Sequence, residues 1–154
     1  MTKDKHSQAR IGHVYALPIR KDEWAVLLIV AVGKHPRLQG RVATRVWINP
    51  PNCLDLSKSL FLNPLLTFIH GDLSIKSGEW LDLGCVSFDS IEDLVQQEFF
   101  HKNSNSVYLV NPSTLLCSSQ RQLRAGEDTL LPEYYMAGSV YLENWLQRNL
   151  DRFM

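Results

Sequence analysis

Nine consecutive apolar residues, Trp24 to Val32, constrain this chain more than any other feature of its sequence. A membrane-spanning helix needs about 20 such residues, so the run is a core element. It is rich in β-branched side chains and has no polar position to turn toward water, which predicts a central strand covered on both faces. Before it, His13 to Ile19 alternates, and Pro18, which cannot donate to a ladder, marks a sheet edge or strand end. Arg20 to Glu23 is the polar turn between the two. After it, Gly33, Pro36 and Gly40 punctuate a basic loop, and Arg41 to Asn49 alternates again, with Val42, Thr44, Val46 and Ile48 on one face and Arg41, Ala43, Arg45 and Trp47 on the other. Three antiparallel strands are expected in the first third of the chain.

Pro50-Pro51 ends that sheet by removing two ladder donors. The leucines from Leu54 to Leu66 fit neither period, and Pro64 breaks any helix through them, so this stretch reads as coil leading into a strand at Leu65 to His70. It is either core or an exposed docking segment. A further strand is expected at Trp80 to Phe88, with Gly84 marking a bulge. Ser90 and Asp93 form a capping-box pattern, and Ile91, Leu94, Val95 and Phe99 share one stripe, which predicts a helix from Ser90 to Phe100. Val107 to Val110 is a short strand. Ser139 is placed to cap a C-terminal helix in which Leu142, Trp145, Leu146 and Leu150 recur at helical spacing. No repeat or linker interrupts the chain, so a flexible arm over 1–10 followed by a single domain over 11–154 is expected.

Sixteen basic and sixteen acidic residues leave no net charge, but they are unevenly distributed. Residues 1–50 hold nine Lys or Arg against three acids, and residues 51–100 hold two against eight. If the fold separates these segments, the molecule has an acidic side able to steer a basic partner. Three cysteines, Cys53, Cys85 and Cys117, form no Cys-x-x-Cys pair, which argues against a disulfide framework or zinc ribbon and predicts buried free thiols. The polar N-terminus has no apolar secretory segment, so a cytoplasmic location is expected.

Sites of known chemistry find little support. The glycines form no phosphate-binding loop, and the five histidines show no metal-ligand spacing, so no cofactor or metal is expected. No nucleophile elbow is present, and Cys85 has no basic neighbour in sequence to ionise it. His70 with Asp72 is the single local His/carboxylate cluster. It reads first as a turn, and as an enzyme site only if a third polar group converges on it. Asp72, Glu79 and Asp82 could serve as paired acid and base, but carboxylates in such positions are usually solvated. Lys34, Arg37, Arg41 and Arg45 around Trp47 give the basic-plus-aromatic mixture of single-stranded nucleic-acid sites, and a small module of that kind is the alternative function. The neutral overall charge argues against it.

Two stretches resemble the immunity protein 26 family of bacterial polymorphic toxin systems. Ile11-Gly12-His13-Val14-Tyr15-Ala16-Leu17-Pro18-Ile19 is similar to that family's opening, and Asp72-Leu73-Ser74-Ile75-Lys76-Ser77-Gly78-Glu79-Trp80 to an element that precedes a strand and a glycine, here Gly84. The C-terminal helix, Val140 to Leu150, looks like the family's closing helix. The chain departs from the family at His13, where an acid is usual, and in its second strand, which lacks the common glycine and arginine. The resemblance implies an α+β domain with a strongly curved antiparallel sheet, an SH3-like open barrel, flanked by two helices. In it Gly78 would permit the turn that lets Trp80 swing inward, with Ile75 beside it. It further implies a non-catalytic protein of the toxin producer's cytoplasm that neutralises a cognate toxin by direct association. Toxins of this kind, nucleases above all, are commonly basic, so Asp72, Glu79, Asp82, Glu92, Asp93 and Glu98 are the expected contact residues.

Overall fold

The computed structural model describes residues 10–64, 66–134, 136–137 and 139–153. Of the expected N-terminal arm only Arg10 falls among them. In chain order the strands and helices are β1 (His13–Arg20), β2 (Glu23–Val32), β3 (Leu38–Val42), β4 (Leu66–His70), α1 (Leu73–Lys76), β5 (Leu81–Cys85), β6 (Glu98–His101), β7 (Ser106–Val110), β8 (Cys117–Gln122), α2 (Glu127–Leu130), β9 (Met136–Ala137) and α3 (Ser139–Arg148). Single 3-10 turns lie at Cys53–Asp55, Lys58–Phe61, Ile91–Leu94 and Leu150–Arg152. The fold is α+β, with a six-stranded sheet in the order β5-β1-β2-β3-β4-β9 and a three-stranded sheet β6-β7-β8. All pairing is antiparallel except that of β9 with β4. The larger sheet is open, with β5 and β9 at its edges.

β2 occupies the position its apolar run demands. Every residue from Ala25 to Ala31 is buried. Ala25, Leu27 and Ile29 pack with Tyr15, Phe68 and Trp80 against Leu142, Trp145 and Leu146 of α3. Val26, Leu28 and Val30 face the other way, into Trp47, Leu56, Phe61 and Leu94 from the irregular segments. The two alternate sets thus fill two separate cores. Pro18 lies past the last residue of β1 that pairs with β5, so its missing N–H costs no bond on that side. A polar turn with Asp22 in the left-handed region (φ 60°) joins β1 to β2, and Arg20 pairs with Glu23 across it.

The smaller sheet docks through a third core of Ala31, Ile69, Phe99, Val110 and Leu115. Polar bonds fix its register. The Gln39 side chain donates to the Gln96 carbonyl at 2.9 Å and accepts from the Gln96 amide at 2.7 Å. Arg121 ties β8 to Glu98 of β6 and to Glu127 of α2.

The structure corrects several expectations. The helix expected over Ser90–Phe100 is a 3-10 turn followed by β6, because Ser90 adopts a left-handed conformation (φ 53°) and makes no capping bond. Leu94 enters the second core and Phe99 the third, so no single helical stripe serves both. The strand expected over Arg41–Asn49 lies earlier, at Leu38–Val42, and beyond it only Trp47 bridges back to Trp24. Gly40 therefore belongs to the strand and not to the basic loop. The thiols are not buried: Cys85 is exposed, and Cys53 and Cys117 are half-buried. Between Leu54 and Leu66, Leu56 and Phe61 are core, whereas Leu54 and Leu62 are exposed. In α3 the stripe of Leu142, Trp145 and Leu146 is buried as its spacing predicts. The capping role assigned to Ser139 concerns a side chain outside the described ones. No helix among the described residues is long and apolar enough to cross a membrane.

Gly33, just past β2, packs tightly against the loop between β7 and β8. A Cβ added there would stand 2.6 Å from the Thr114 carbonyl oxygen and 2.7 Å from Leu115 Cγ, whereas one added at Gly71 meets nothing within 4 Å. Gly33→Ala should therefore cost about 1–3 kcal/mol. Gly71→Ala should leave the urea unfolding midpoint close to that of the parent, and the two midpoints measured side by side check the contrast.

Candidate functional site

His70 closes β4, and the chain turns through Gly71 and Asp72 into the single helical turn α1. Gly78 (φ 80°) reverses it, so that Trp80 returns to the core while Leu73, Glu79 and Leu81 stay outside. Trp80 is 2% exposed. Its indole N–H donates to Glu143 Oε2 at 3.0 Å, and Ser74 Oγ donates to the same oxygen at 2.8 Å, which pins α1 to α3. Ile75 is buried beside it, so Ile75, Gly78 and Trp80 hold the turn together as their pattern predicts.

β5 then runs antiparallel to β1 as the edge strand. Gly84 (φ 95°) forms the expected bulge: Val14 opposes Gly84 and Tyr15 opposes Asp82, which leaves Leu83 as the extra residue. Asp82 Oδ1 accepts from the Gly84 amide at 2.8 Å and from His13 Nε2 at 2.7 Å. A carboxylate at that distance places the imidazole proton on Nε2. His13, which departs from the family pattern, is thus the residue that locks the orientation of Asp82.

Beneath this edge lies a group of buried polar side chains. Tyr15 stacks on His13 with ring centroids 4.6 Å apart, and Trp80 packs edge-on against His70 at 5.4 Å. His70 Nδ1 lies 2.8 Å from the Gly71 carbonyl oxygen and therefore donates to it. Tyr15 Oη, His70 Nε2 and His13 Nδ1 are buried with no hydrogen-bond partner among the described residues. Burial lowers the His70 imidazole to about 4, against smaller opposing effects of Gly71 and Asp72. Burial, reinforced by Asp82, Cys85 and Asp72, raises the Tyr15 hydroxyl well above the usual tyrosine range. At neutral pH His70 and Tyr15 are therefore both uncharged. Both act as packed, uncharged members of the core.

Three of the six expected contact residues come together on this edge. Asp72, largely shielded, lies 3.3 Å from His35 Nε2 and 3.8 Å from Lys76 Nζ. Glu79 is exposed and accepts from Ser77 Oγ at 3.0 Å. Asp82 is held as described. Glu92 and Asp93 are exposed on the 3-10 turn whose Leu94 packs into the opposite face of the sheet. Glu98 lies in the smaller sheet, 3.2 Å from Arg121. Glu127, the second partner of Arg121, is lowered to about 2 by that bond and by the Arg124 amide.

Of the basic and aromatic residues expected at a nucleic-acid surface, Lys34 and Arg45 are exposed and Arg37 is half-buried. Arg41 and Trp47 are buried at 7% and 8% exposure, and the Arg45 guanidinium lies 5.0 Å from the centre of the Trp47 ring. The ring is therefore covered where a base would have to stack. Among the described residues no three His, Cys, Asp or Glu side chains converge as metal ligands would. Sequence reasoning missed the pairing of His13 with Asp82 and of Trp80 with Glu143, since 69 and 63 residues separate the partners and no local pattern marks them.

His70 makes the site sensitive to pH. An unfolded histidine titrates near 6.5 and the folded one near 4, so the unfolded chain binds the extra proton between these values. Stability from this group is complete above about pH 6.5 and falls toward pH 4, by an amount on the order of 3 kcal/mol. His70→Gln should flatten the pH dependence of the urea unfolding free energy across that window by about one proton, and an unchanged slope would assign the titration elsewhere. Comparison with protein-family models, with curated proteins and with solved structures finds no match for this chain.

Proposed function

We propose that this chain is an immunity-type inhibitor, resident in the cytoplasm of a toxin producer, that captures a basic toxin domain through its α1–β5 edge. The observation that carries this reading is one short segment, residues 72–82, which presents exposed Leu73 (63%) and Leu81 (44%) beside exposed Glu79 and Asp82. Apolar anchors within a charged rim are the usual anatomy of a protein interface. Carboxylates of one sign raise the encounter rate with a basic partner and disfavour acidic ones. The segment is also ordered in advance. Trp80 anchors it to Glu143, and His13 with the Gly84 amide fixes Asp82, so little side-chain freedom is lost on binding.

The two stretches that resemble the immunity protein 26 family support the same reading, because they are neighbours in space. Tyr15 of the first and Trp80 of the second lie 6.4 Å apart, and β1 pairs with β5. The SH3-like curvature of that family belongs to the proposal too. Its support is the set of register shifts in β1 and β2, at Val14/Tyr15, Pro18/Arg20 and Ile29/Ala31, since bulges increase local twist and bend. Glu92 and Asp93 lie on the turn that covers the opposite face of the sheet and stand outside this contact, and Glu98 serves Arg121.

The chain should bind and protect against a toxin domain encoded beside its own gene. Leu81→Asp should weaken that complex by about tenfold or more, chiefly through faster dissociation, as expected for an interface anchor. Glu79→Lys should act chiefly on the association rate and lose its effect at high salt. Surface plasmon resonance at two salt concentrations, with survival on co-expression, measures both. Absence of binding and of protection by the parent chain overturns the proposal.

A further inference from the structure

Arg41 is a buried cation without a counter-ion. It sits on β3 opposite Leu28 and Thr67, 7% exposed, in the layer of the second core. Its Nη1 donates to the Phe61 carbonyl at 2.9 Å and to the Leu62 carbonyl at 3.4 Å. The Nε–H is buried with no acceptor among the described residues. None of the ion pairs among the described residues includes it. Burial lowers its pKa from the usual arginine value, which reflects the same desolvation. A buried charge left unpaired costs several kcal/mol, and two carbonyl dipoles offset only part of that.

The arginine lines a groove of about 610 Å³, at the opposite end of β4 from α1 and thus apart from the proposed toxin contact. Leu66, Thr67 and Trp145 form part of its wall, and Arg152 adds a second cation, its guanidinium 5.4 Å from the centre of the Trp145 ring. The volume is within the range of small-molecule sites. We propose that this groove binds a small organic monocarboxylate, with its carboxylate on Arg41 and its apolar body against Leu66 and Trp145. The chemistry follows from the donors. Nη1 is already committed and Nε is enclosed, which leaves Nη2 to give a carboxylate oxygen a charge-assisted hydrogen bond. Asp128 and Glu133, which also line the groove, disfavour a phosphate dianion. Arg41 and Arg152 offset these two acids, so the groove accommodates a single negative charge better than two.

Nuclear magnetic resonance titration of the full chain tests this with three probes: hexanoate, its neutral counterpart hexanamide, and inorganic phosphate. Hexanoate should shift the Trp145 indole and Thr67 amide resonances saturably. Hexanamide should bind at least about tenfold more weakly, and phosphate should give no saturable shift. Arg41→Gln risks loosening the 57–64 segment, so Arg41→Lys, whose single ammonium cannot hold the Phe61 carbonyl and also reach the ligand as the guanidinium does, is the variant of choice; its affinity for hexanoate should fall about fivefold or more with the spectrum otherwise preserved. No saturation by hexanoate up to about 20 mM, equal affinity for hexanamide, or saturable binding of phosphate each overturns the assignment.

Discussion

A strand with no polar face has to be covered twice, and the burial of β2 on both sides is the constraint from which the architecture follows. One cover is supplied by α3, whose buried stripe meets Leu27 and Ile29 together with Trp80. The other is supplied by segments with little regular structure, from which Leu56, Phe61 and Leu94 reach Val26 and Leu28. That second cover explains why so much of the chain between residues 43 and 97 is irregular. Those residues are selected to deliver single apolar side chains onto a sheet face, and their backbones need not form a continuous element to do so. It also explains Arg41, which satisfies two carbonyls of that layer where no strand or helix would.

The α1–β5 edge inherits its rigidity from the same core. Trp80 is the pivot: it packs on His70 and lies near Tyr15, bonds to Glu143, and so transmits the position of α3 to the turn that bears Leu73 and Glu79. Tyr15 and His70 beneath it are kept neutral by burial. Proteins that act by fitting another surface benefit from such an arrangement, because a contact residue held in place before encounter loses less entropy on binding.

Features encoded locally were legible in the sequence, and features made by distant partners were not. The apolar run of β2, the stripe of α3, the Gly84 bulge and the Gly78 turn each depend on residues close in the chain. The Ser90–Phe100 stripe shows the limit of this, since four apolar residues fit a helical period by coincidence while Leu94 and Phe99 serve different cores. β8 escaped notice because Cys-Ser-Ser-Gln-Arg-Gln carries no apolar alternation; it pairs along one side only, with β7. Of the site, Asp72, Glu79 and Asp82 were visible as acids near a recognisable turn. His13, Tyr15, Glu143 and the unpaired state of Arg41 required the fold to bring them together.

β8 and β5 also differ in what they offer to other chains. Each ends its sheet, and a strand at a sheet margin exposes backbone donors and acceptors to any passing polypeptide. β8 surrounds those groups with serine, glutamine and arginine, so a foreign strand would gain hydrogen bonds there but no apolar burial. β5 carries Leu81 at its outset beside a carboxylate, and so rewards only a neighbour able to cover a leucine and answer a negative charge. The two margins thus differ in how much an added strand would gain beyond its backbone bonds.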